Sequence, residues 1–173
     1  PTNLCNIHCP ICPTPESELT RIKGMLKFGD FKVMADHLKG KIPDLFLFFS
    51  GEPFLNKDMY DIMRYATDLG FKTTTSTNCT LLNTTNIQKI LDSGLNHIIL
   101  SFDGITKESY ETYRQGANFE TVCENIQNLA RMRKEQGKGR PYLELQCLYT
   151  KLNQHEIERL KNEVYAWGID EVN

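Results

Sequence analysis

Short apolar runs recur along the chain at nearly regular intervals, and this regularity restricts the possible folds more than any other feature. The runs begin near Leu45, Phe71, His97, Leu143 and Ile169. The intervals between them are about 26, 26, 46 and 26 residues. A strand with its crossover helix occupies about 30 residues, and such crossovers join parallel strands. The sequence therefore predicts an α/β protein in which parallel strands alternate with helices.

The stretches between the apolar runs carry helical patterns. We expect a helix within Arg21–Leu38, and a second helix that begins after Asn56 and ends at Gly70. Asn153 and Glu156 have the spacing of a capping box at the start of the last helix. The apolar positions of each pattern recur at helical spacing and are expected to pack against the sheet.

Alternation along each strand separates the two faces of the sheet. In the third run Leu100 falls on one face and Ser101 on the other. In a barrel of parallel strands the helices cover the outer face, and active sites form at the carboxyl ends of the strands. Ser101 is thus expected to face the lumen, and Glu52 to lie at the end of the first strand. Residues 73–78 are polar on both faces, so their orientation stays open.

The charge balance and the hydropathy exclude several classes of protein. The chain has 20 Lys+Arg and 22 Asp+Glu, with a formal net charge of −2. It has neither a basic stripe nor an apolar run of about 18 residues, so we expect no nucleic-acid partner and no membrane span. Pro1 does not open a secretory leader, and the expected location is the cytoplasm.

Three of the six cysteines stand close together, as Cys5, Cys9 and Cys12. This clustering indicates a metal site in a reducing compartment rather than a disulfide scaffold. Three thiolates are sufficient to hold one 4Fe-4S cube, whose fourth iron is then left without a protein ligand. Zinc stays an alternative, because His8 could complete a structural site of four ligands.

Four short motifs follow one another in register with the strand–helix repeat. They are Cys5-x-x-x-Cys9-x-x-Cys12, Ser50-Gly51-Glu52-Pro53, Thr75-Ser76-Thr77-Asn78-Cys79-Thr80 and Ser101-Phe102-Asp103-Gly104. Together they resemble the radical S-adenosylmethionine (radical SAM) superfamily. The stretch 110–119, which includes Tyr113-Arg114-Gln115-Gly116, looks like the branch of this superfamily that carries a C-terminal SPASM auxiliary-cluster domain.

The resemblance implies a fold and a pair of cofactors. The fold would be a partial (β/α)6 TIM-like barrel of parallel strands with outer helices, whose first strand, before Cys5, is missing or truncated. The cofactors would be a 4Fe-4S cluster held by Cys5, Cys9 and Cys12, and S-adenosyl-L-methionine bound at the open iron. One electron from an external donor such as flavodoxin or ferredoxin would cleave this nucleotide to a 5′-deoxyadenosyl radical, which abstracts hydrogen from the substrate.

The resemblance also implies which residues contact S-adenosylmethionine. Glu52 and the backbone of Gly51 would bind the methionine ammonium group. Arg114 and Ser101 would bind the methionine carboxylate, and Thr77 the ribose.

Two further residues, Ile11 and Leu148, would lie against the adenine, largely through backbone atoms. Ile11 stands where the family often has an aromatic residue, and Ser50 stands where it usually has a second glycine. Asp103 receives no role, because Asp-Gly is also a strong turn signal.

Several of these residues also have a simpler interpretation. Glu52 could be a turn-capping acid, and Arg114 could form a surface ion pair with Glu111. Thr77 could belong to a hydrogen-bonded barrel wall, and Leu148 could pack in the lumen.

The expected function is the core of a radical SAM enzyme over residues 1–173. We expect the sequence to be a fragment of a longer protein, with or without a C-terminal auxiliary domain. The substrate is a peptide or a small molecule, and peptide or protein maturation and alcohol or sugar oxidation both stay open. The alternative is a zinc-binding or structural α/β module without redox chemistry.

Overall fold

A computed structural model describes residues 1–14 and 22–173, and these form six α-helices and five β-strands. The helices are α1 (Phe28–Leu38), α2 (Met59–Asp68), α3 (Thr84–Asp92), α4 (Lys107–Tyr113), α5 (Phe119–Glu135) and α6 (Ile157–Ala166). The strands are β1 (Asp44–Phe46), β2 (Lys72–Thr77), β3 (His97–Ser101), β4 (Tyr142–Gln146) and β5 (Glu171–Val172). Each predicted apolar run thus coincides with a strand, and the longest interval holds two helices, α4 and α5. Arg21, the start of the predicted first helical region, lies outside the described residues.

The five strands form one parallel sheet in the order β1-β2-β3-β4-β5. Sequential parallel strands with helical crossovers are the arrangement of a barrel that is open at one edge. The predicted partial barrel is therefore confirmed. Before Cys5 the described residues form an isolated bridge between Thr2 and Met25 rather than a full strand. None of the helices in the described ranges is long and apolar enough to cross a bilayer.

One face of the sheet packs against the helices and forms the hydrophobic core. The fully buried apolar strand residues are Ile98 and Leu100 of β3 and Leu143 and Leu145 of β4. The buried helix residues of the same core cluster include Met59, Ile62, Met63, Ala66, Ile87, Ile90, Val122, Ile126 and Leu129. Period-two alternation in the strands and helical spacing between them predicted this division correctly.

The structure determines the orientation of β2, which its polar composition left open. Its register pairs Ser76 with Ile99, and side chains paired in this way lie on the same face of a sheet. Ser76 Oγ lies 3.5 Å from Ser101 Oγ, on the lumen face. Thr75 points to the opposite face, where its buried hydroxyl donates to the Leu47 carbonyl at 3.1 Å.

The start of α6 differs from the prediction, because Asn153 and Glu156 do not form a capping box. The amide group of Asn153 donates to the carbonyls of Asp103 and Leu148, at 2.9 and 2.7 Å. The carboxylate of Glu156 accepts from the Ile105 N–H at 3.0 Å. Partners from other segments therefore replace the local cap, a competition that the spacing of two residues does not reveal.

β1 is shorter than the apolar run that predicted it. The strand ends at Phe46, and Phe49, the last residue of the apolar run, is 94% exposed. The chain after β1 therefore leaves the ladder before it reaches Glu52.

Candidate cofactor site

Eight of the ten predicted site residues line one cavity at the carboxyl ends of β1, β2 and β3. They are Cys5, Cys9, Cys12, Gly51, Glu52, Thr77, Ser101 and Arg114. The carboxyl ends of parallel strands meet at one end of the sheet, which brings motifs from distant parts of the chain together. The other two residues, Ile11 and Leu148, lie outside this lining, with 71% and 42% of their surface exposed.

The cysteine loop is held by backbone hydrogen bonds. Cys12 N–H donates to the Cys9 carbonyl at 3.0 Å, and His8 N–H donates to the Gln115 carbonyl at 2.8 Å. Burial raises the pKa of the Cys5 and Cys9 thiols. Both are therefore protonated near neutral pH in the apoprotein, and metal binding would release their protons.

The donor set fits an iron–sulfur cluster. In a 4Fe-4S cluster each thiolate binds a different iron, so the thiols must border one cavity rather than converge on one point. Cys5, Cys9 and Cys12 do border one cavity. Within residues 1–14 and 22–173, no three His, Cys, Asp or Glu side chains lie close enough to ligate a single ion. His8, the candidate fourth ligand for zinc, lines a neighbouring depression that includes Cys5 but neither Cys9 nor Cys12.

The Gly51–Glu52 turn is docked on the segment that leads into the cysteine loop. Glu52 N–H donates to the Leu4 carbonyl at 2.7 Å. Gly51 has a φ of +81°, and a Cβ at this position would meet the carbonyl oxygens of Leu4 and Thr2 at 2.5 and 2.8 Å. Both the backbone conformation and the close approach therefore require glycine. This contact fixes the segment before Cys5 relative to the sheet.

The Glu52 carboxylate is buried and accepts three hydrogen bonds. Oε1 accepts from the Phe54 N–H at 3.2 Å and from the Thr77 hydroxyl at 2.9 Å, and Oε2 accepts from the Asn78 N–H at 2.7 Å. The contact with Phe54 caps the short 3-10 helix Pro53–Leu55, so Glu52 is a turn-capping acid in this structure. A carboxylate has about four acceptor positions, and one is left on Oε2. Burial raises the pKa of Glu52 to about 7 in spite of these bonds.

Arg114 pairs with Asp103 rather than with Glu111. Its Nε and Nη2 each lie 2.5 Å from Asp103 Oδ2, and both side chains are nearly buried. The simpler alternative for Arg114, a surface pair with Glu111, is not what the structure shows, because Glu111 accepts from the Phe119 N–H instead. Asp103 Oδ1 accepts from the Leu148 N–H at 2.6 Å. Asp103, to which the sequence assigned no role, therefore connects the ends of β3, α4 and β4.

The hydroxyl groups at the strand ends point in different directions. Ser101 faces the lumen, as predicted, and Ser76 lies next to it on the same face. The Thr77 hydroxyl is turned towards Glu52 and is almost completely buried. Ser76 and Asn78 also line the cavity, although sequence reasoning did not assign them. The strand register relative to Ser101 is the signal that could have found Ser76.

Comparison with known proteins agrees with this geometry. A sequence model described as the radical SAM superfamily matches residues 1–143. The chain belongs to the radical SAM superfamily. The predicted family and its cofactor pair, a 4Fe-4S cluster and S-adenosylmethionine, are thereby confirmed at the level of the family.

Two curated relatives and one solved structure illustrate the similarity. The 7,8-dihydro-6-hydroxymethylpterin dimethyltransferase of Methanocaldococcus jannaschii is 34% identical over 129 residues, which cover 72% of this chain and 25% of that protein. The PqqA peptide cyclase of Rhodopseudomonas palustris is 35% identical over 104 residues, which cover 60% and 27%. SuiB of Streptococcus suis, bound to its precursor peptide SuiA, superposes with a TM-score of 0.80 at 19% identity over 99% of this chain and 37% of SuiB. This chain thus spans between a quarter and two-fifths of the length of these proteins.

Proposed function

We propose that this chain forms the core domain of a radical SAM enzyme, in which Cys5, Cys9 and Cys12 hold a 4Fe-4S cluster. The observation that carries the proposal is the convergence of the three thiols with Glu52 and Arg114 on one cavity. When bound, the cluster and S-adenosylmethionine supply a 5′-deoxyadenosyl radical for hydrogen abstraction. The residues of the chain bind and orient the nucleotide.

Two side chains of opposite charge match the two charged groups of the methionine moiety. Glu52 has one acceptor position left, and this position suits an ammonium group. Arg114 donates from Nε and Nη2 to Asp103, and its remaining N–H groups are free to bind the methionine carboxylate. Ser101, on the lumen face, adds a hydroxyl donor for the same carboxylate.

The ribose and the adenine would be bound by residues with less charge. Ser76 provides a hydroxyl group on the lumen face at the end of β2 for the ribose, whereas the predicted contact from the Thr77 hydroxyl is replaced by its bond to Glu52. Ile11 and Leu148 would cover the adenine. Since the Leu148 N–H is taken by Asp103, we assign this contact to the apolar side chain of Leu148.

The substrate that we propose for the whole protein is a peptide. PqqA peptide cyclase and SuiB with its precursor peptide support this class. The pterin dimethyltransferase, at a similar identity, supports a small molecule as the alternative. The similarity to SuiB supports an assignment to the SPASM-type branch. Membership of the radical SAM superfamily supports the need for an external one-electron donor such as flavodoxin or ferredoxin.

Replacement of one proposed cluster ligand tests this function. Wild-type protein reconstituted without oxygen should bind about four irons per chain, and Cys9→Ala should bind far fewer and form no 5′-deoxyadenosine. Circular dichroism should show unchanged helix content in Cys9→Ala, because the loop belongs to none of the helices. Cys123→Ala removes a half-buried thiol from α5 and is the matched control, which should keep both iron and activity. Stoichiometric zinc in the wild type, or full iron in Cys9→Ala, would contradict the proposal.

A further inference from the structure

The side chain of Asn78 connects the end of β2 with the cysteine loop. Its Nδ2 lies 3.8 Å from Cys5 Sγ and 3.0 Å from Asn6 Oδ1, and only 6% of the residue is exposed. We propose that Asn78 is a positioning residue for the cluster, which donates a hydrogen bond to the Cys5 sulfur and makes the cluster easier to reduce. This inference rests on the proposed function, because it concerns a cluster held by Cys5.

The other partners of Asn78 determine which atom of its amide group faces the sulfur. Oδ1 accepts from the Thr80 N–H at 3.0 Å and from the Thr80 hydroxyl at 2.7 Å. Only the oxygen of an amide group accepts a hydrogen bond from an N–H, so Nδ2 must be the atom that points to Cys5. The Thr80 hydroxyl in turn accepts from Asn6 Nδ2 at 2.8 Å. The network is thus consistent with one assignment only, and that assignment directs an N–H at Cys5 Sγ.

The backbone around Asn78 is also firmly held. Its N–H donates to Glu52 Oε2 at 2.7 Å. The next residue, Cys79, is fully buried and has a φ of +65°, which is uncommon for any residue other than glycine. Cys79 keeps this conformation through a bond from its N–H to the Thr77 hydroxyl at 3.1 Å and a bond from Asn125 Nδ2 to its carbonyl at 2.9 Å. The backbone of Asn78 therefore belongs to a turn that is held by hydrogen bonds on both sides. This turn fixes the position from which the side-chain donor of Asn78 reaches Cys5.

A donor in this position affects the reduction of the cluster. Hydrogen bonds to ligand sulfur stabilise negative charge on it and are a means by which proteins adjust cluster potentials. The reduced cluster carries one electron more than the oxidised cluster, so the bond from Asn78 stabilises the reduced state more. Loss of the donor should therefore make the midpoint potential more negative.

Three variants of the reconstituted protein test this inference in spectroelectrochemical titrations without S-adenosylmethionine. Asn78→Leu removes the donor at similar volume, and Asn78→Asp replaces the donor but keeps an oxygen for the Thr80 N–H. Thr80→Ala removes a hydroxyl from the same network and leaves Asn78 Nδ2 in place. We expect both Asn78 variants to reduce the equilibrium constant for reduction at least tenfold, which is about 59 mV for one electron. Thr80→Ala should keep the wild-type potential.

A second measurement decides the matter if the Asn78 variants do not take up a cluster. This measurement uses protein whose asparagine side-chain amides carry ¹⁵N, with Asn6→Ser to remove the neighbouring amide. Pulsed ENDOR of the reduced cluster should then show a ¹⁵N coupling from Asn78. The inference is overturned by absence of this coupling, by unchanged potentials in both Asn78 variants, by a shift in Asn78→Asp alone, or by an equal shift in Thr80→Ala. A wild-type protein that binds no 4Fe-4S cluster would instead refute the proposed function, so the two failures are distinguishable.

Discussion

Gly51 holds the segment before Cys5 against the sheet, and its replacement is the sharpest test at the scale of one residue. Gly51→Ala should lower the free energy of unfolding by about 3 kcal/mol, because a left-handed alanine costs about 1–2 kcal/mol and overpacking adds about 1–3 kcal/mol. It should also reduce iron uptake, since a Cβ would displace Leu4, the residue before Cys5. Urea unfolding and iron analysis measure the two effects.

Gly40 provides the matched control for this substitution. It has a φ of +74°, close to that of Gly51, but a Cβ there would meet no atom within 4 Å. Gly40→Ala should therefore cost only the conformational part, about 1–2 kcal/mol, and should leave iron uptake unchanged. Equal losses of stability and iron in both variants would show that the close approach at Gly51 has no special effect.

At this scale the sequence predicted residue identity better than residue contacts. Cys5, Glu52 and Arg114 each stand in a recognisable short motif, and the structure brings all three to one cavity. The pair of Arg114 with Asp103 was not predictable, because it depends on the distance between two chain segments that only the packing of α4 determines. Asp103 itself looked like a turn residue for the same reason.

Two aspartates, Asp103 and Asp170, link elements of the barrel through the same kinds of partner, an arginine and a backbone N–H. Substitution of one can therefore be controlled by substitution of the other. Asp103 accepts from Arg114 and from a backbone N–H after β4. Asp170, before β5, accepts from Arg133 and from a backbone N–H of β4. Of these four side chains, Arg114 alone lines the proposed cofactor cavity.

Asp103→Asn should lower both stability and nucleotide affinity. Loss of the nearly buried carboxylate leaves Arg114 without its charge partner, which should cost about 3 kcal/mol. Because Arg114 also loses its fixed orientation, the Kd for S-adenosylmethionine in equilibrium dialysis should rise at least about tenfold, or about 1.4 kcal/mol. Asp170→Asn should lower stability without changing this Kd. A Kd that is unchanged in Asp103→Asn would contradict the assigned role of the pair.

Glu156 ties α6 to α4 and gives the fold a pH dependence. Its carboxylate accepts from the Thr106 hydroxyl at 2.6 Å and from the Ser109 hydroxyl at 2.7 Å, in addition to the Ile105 N–H. Burial acts to raise the pKa of Glu156, but these hydrogen bonds outweigh burial, and the pKa lies below its ordinary value. The folded state thus favours the ionised carboxylate.

The pH dependence of Glu156→Gln follows from the direction of this pKa shift. A carboxyl group with a lowered pKa in the folded state contributes stability above its unfolded pKa, about 4.3, and loses it as the pH falls through the folded pKa. Glu156→Gln should therefore cost about 1–3 kcal/mol at pH 7 and clearly less near pH 3, as measured by urea unfolding. Glu158→Gln, at an exposed position of α6, should change neither value. An equal loss at both pH values in Glu156→Gln would show that the charge of Glu156 does not contribute.

The elements themselves were largely predictable, whereas their ends were less so. Alternation and helical spacing arise within a few residues, so they predicted strands and helices with their buried faces. The start of α6 and the short β1 depend on partners elsewhere in the chain. Asn153 binds the segments around Asp103 and Leu148, which no local pattern indicates.

The described residues of the chain build a sheet of five parallel strands, and the ends of these strands meet the cysteine loop at one cavity. The regular interval between apolar runs predicted this architecture, because parallel strands require crossovers of that length. The interval carries no information about the substrate. The relatives act on different substrates, and the chain spans only part of their length.

In the proposed function, three cysteines hold the cluster and leave one iron for the nucleotide. Pulsed ENDOR of the reduced cluster with S-adenosylmethionine carrying ¹⁵N at its amino group measures whether the nucleotide binds this iron. We expect a ¹⁵N coupling that shows the amino group bound to iron, together with a changed EPR spectrum. An unchanged spectrum without ¹⁵N coupling, from a cluster whose four irons all have protein ligands, would contradict it.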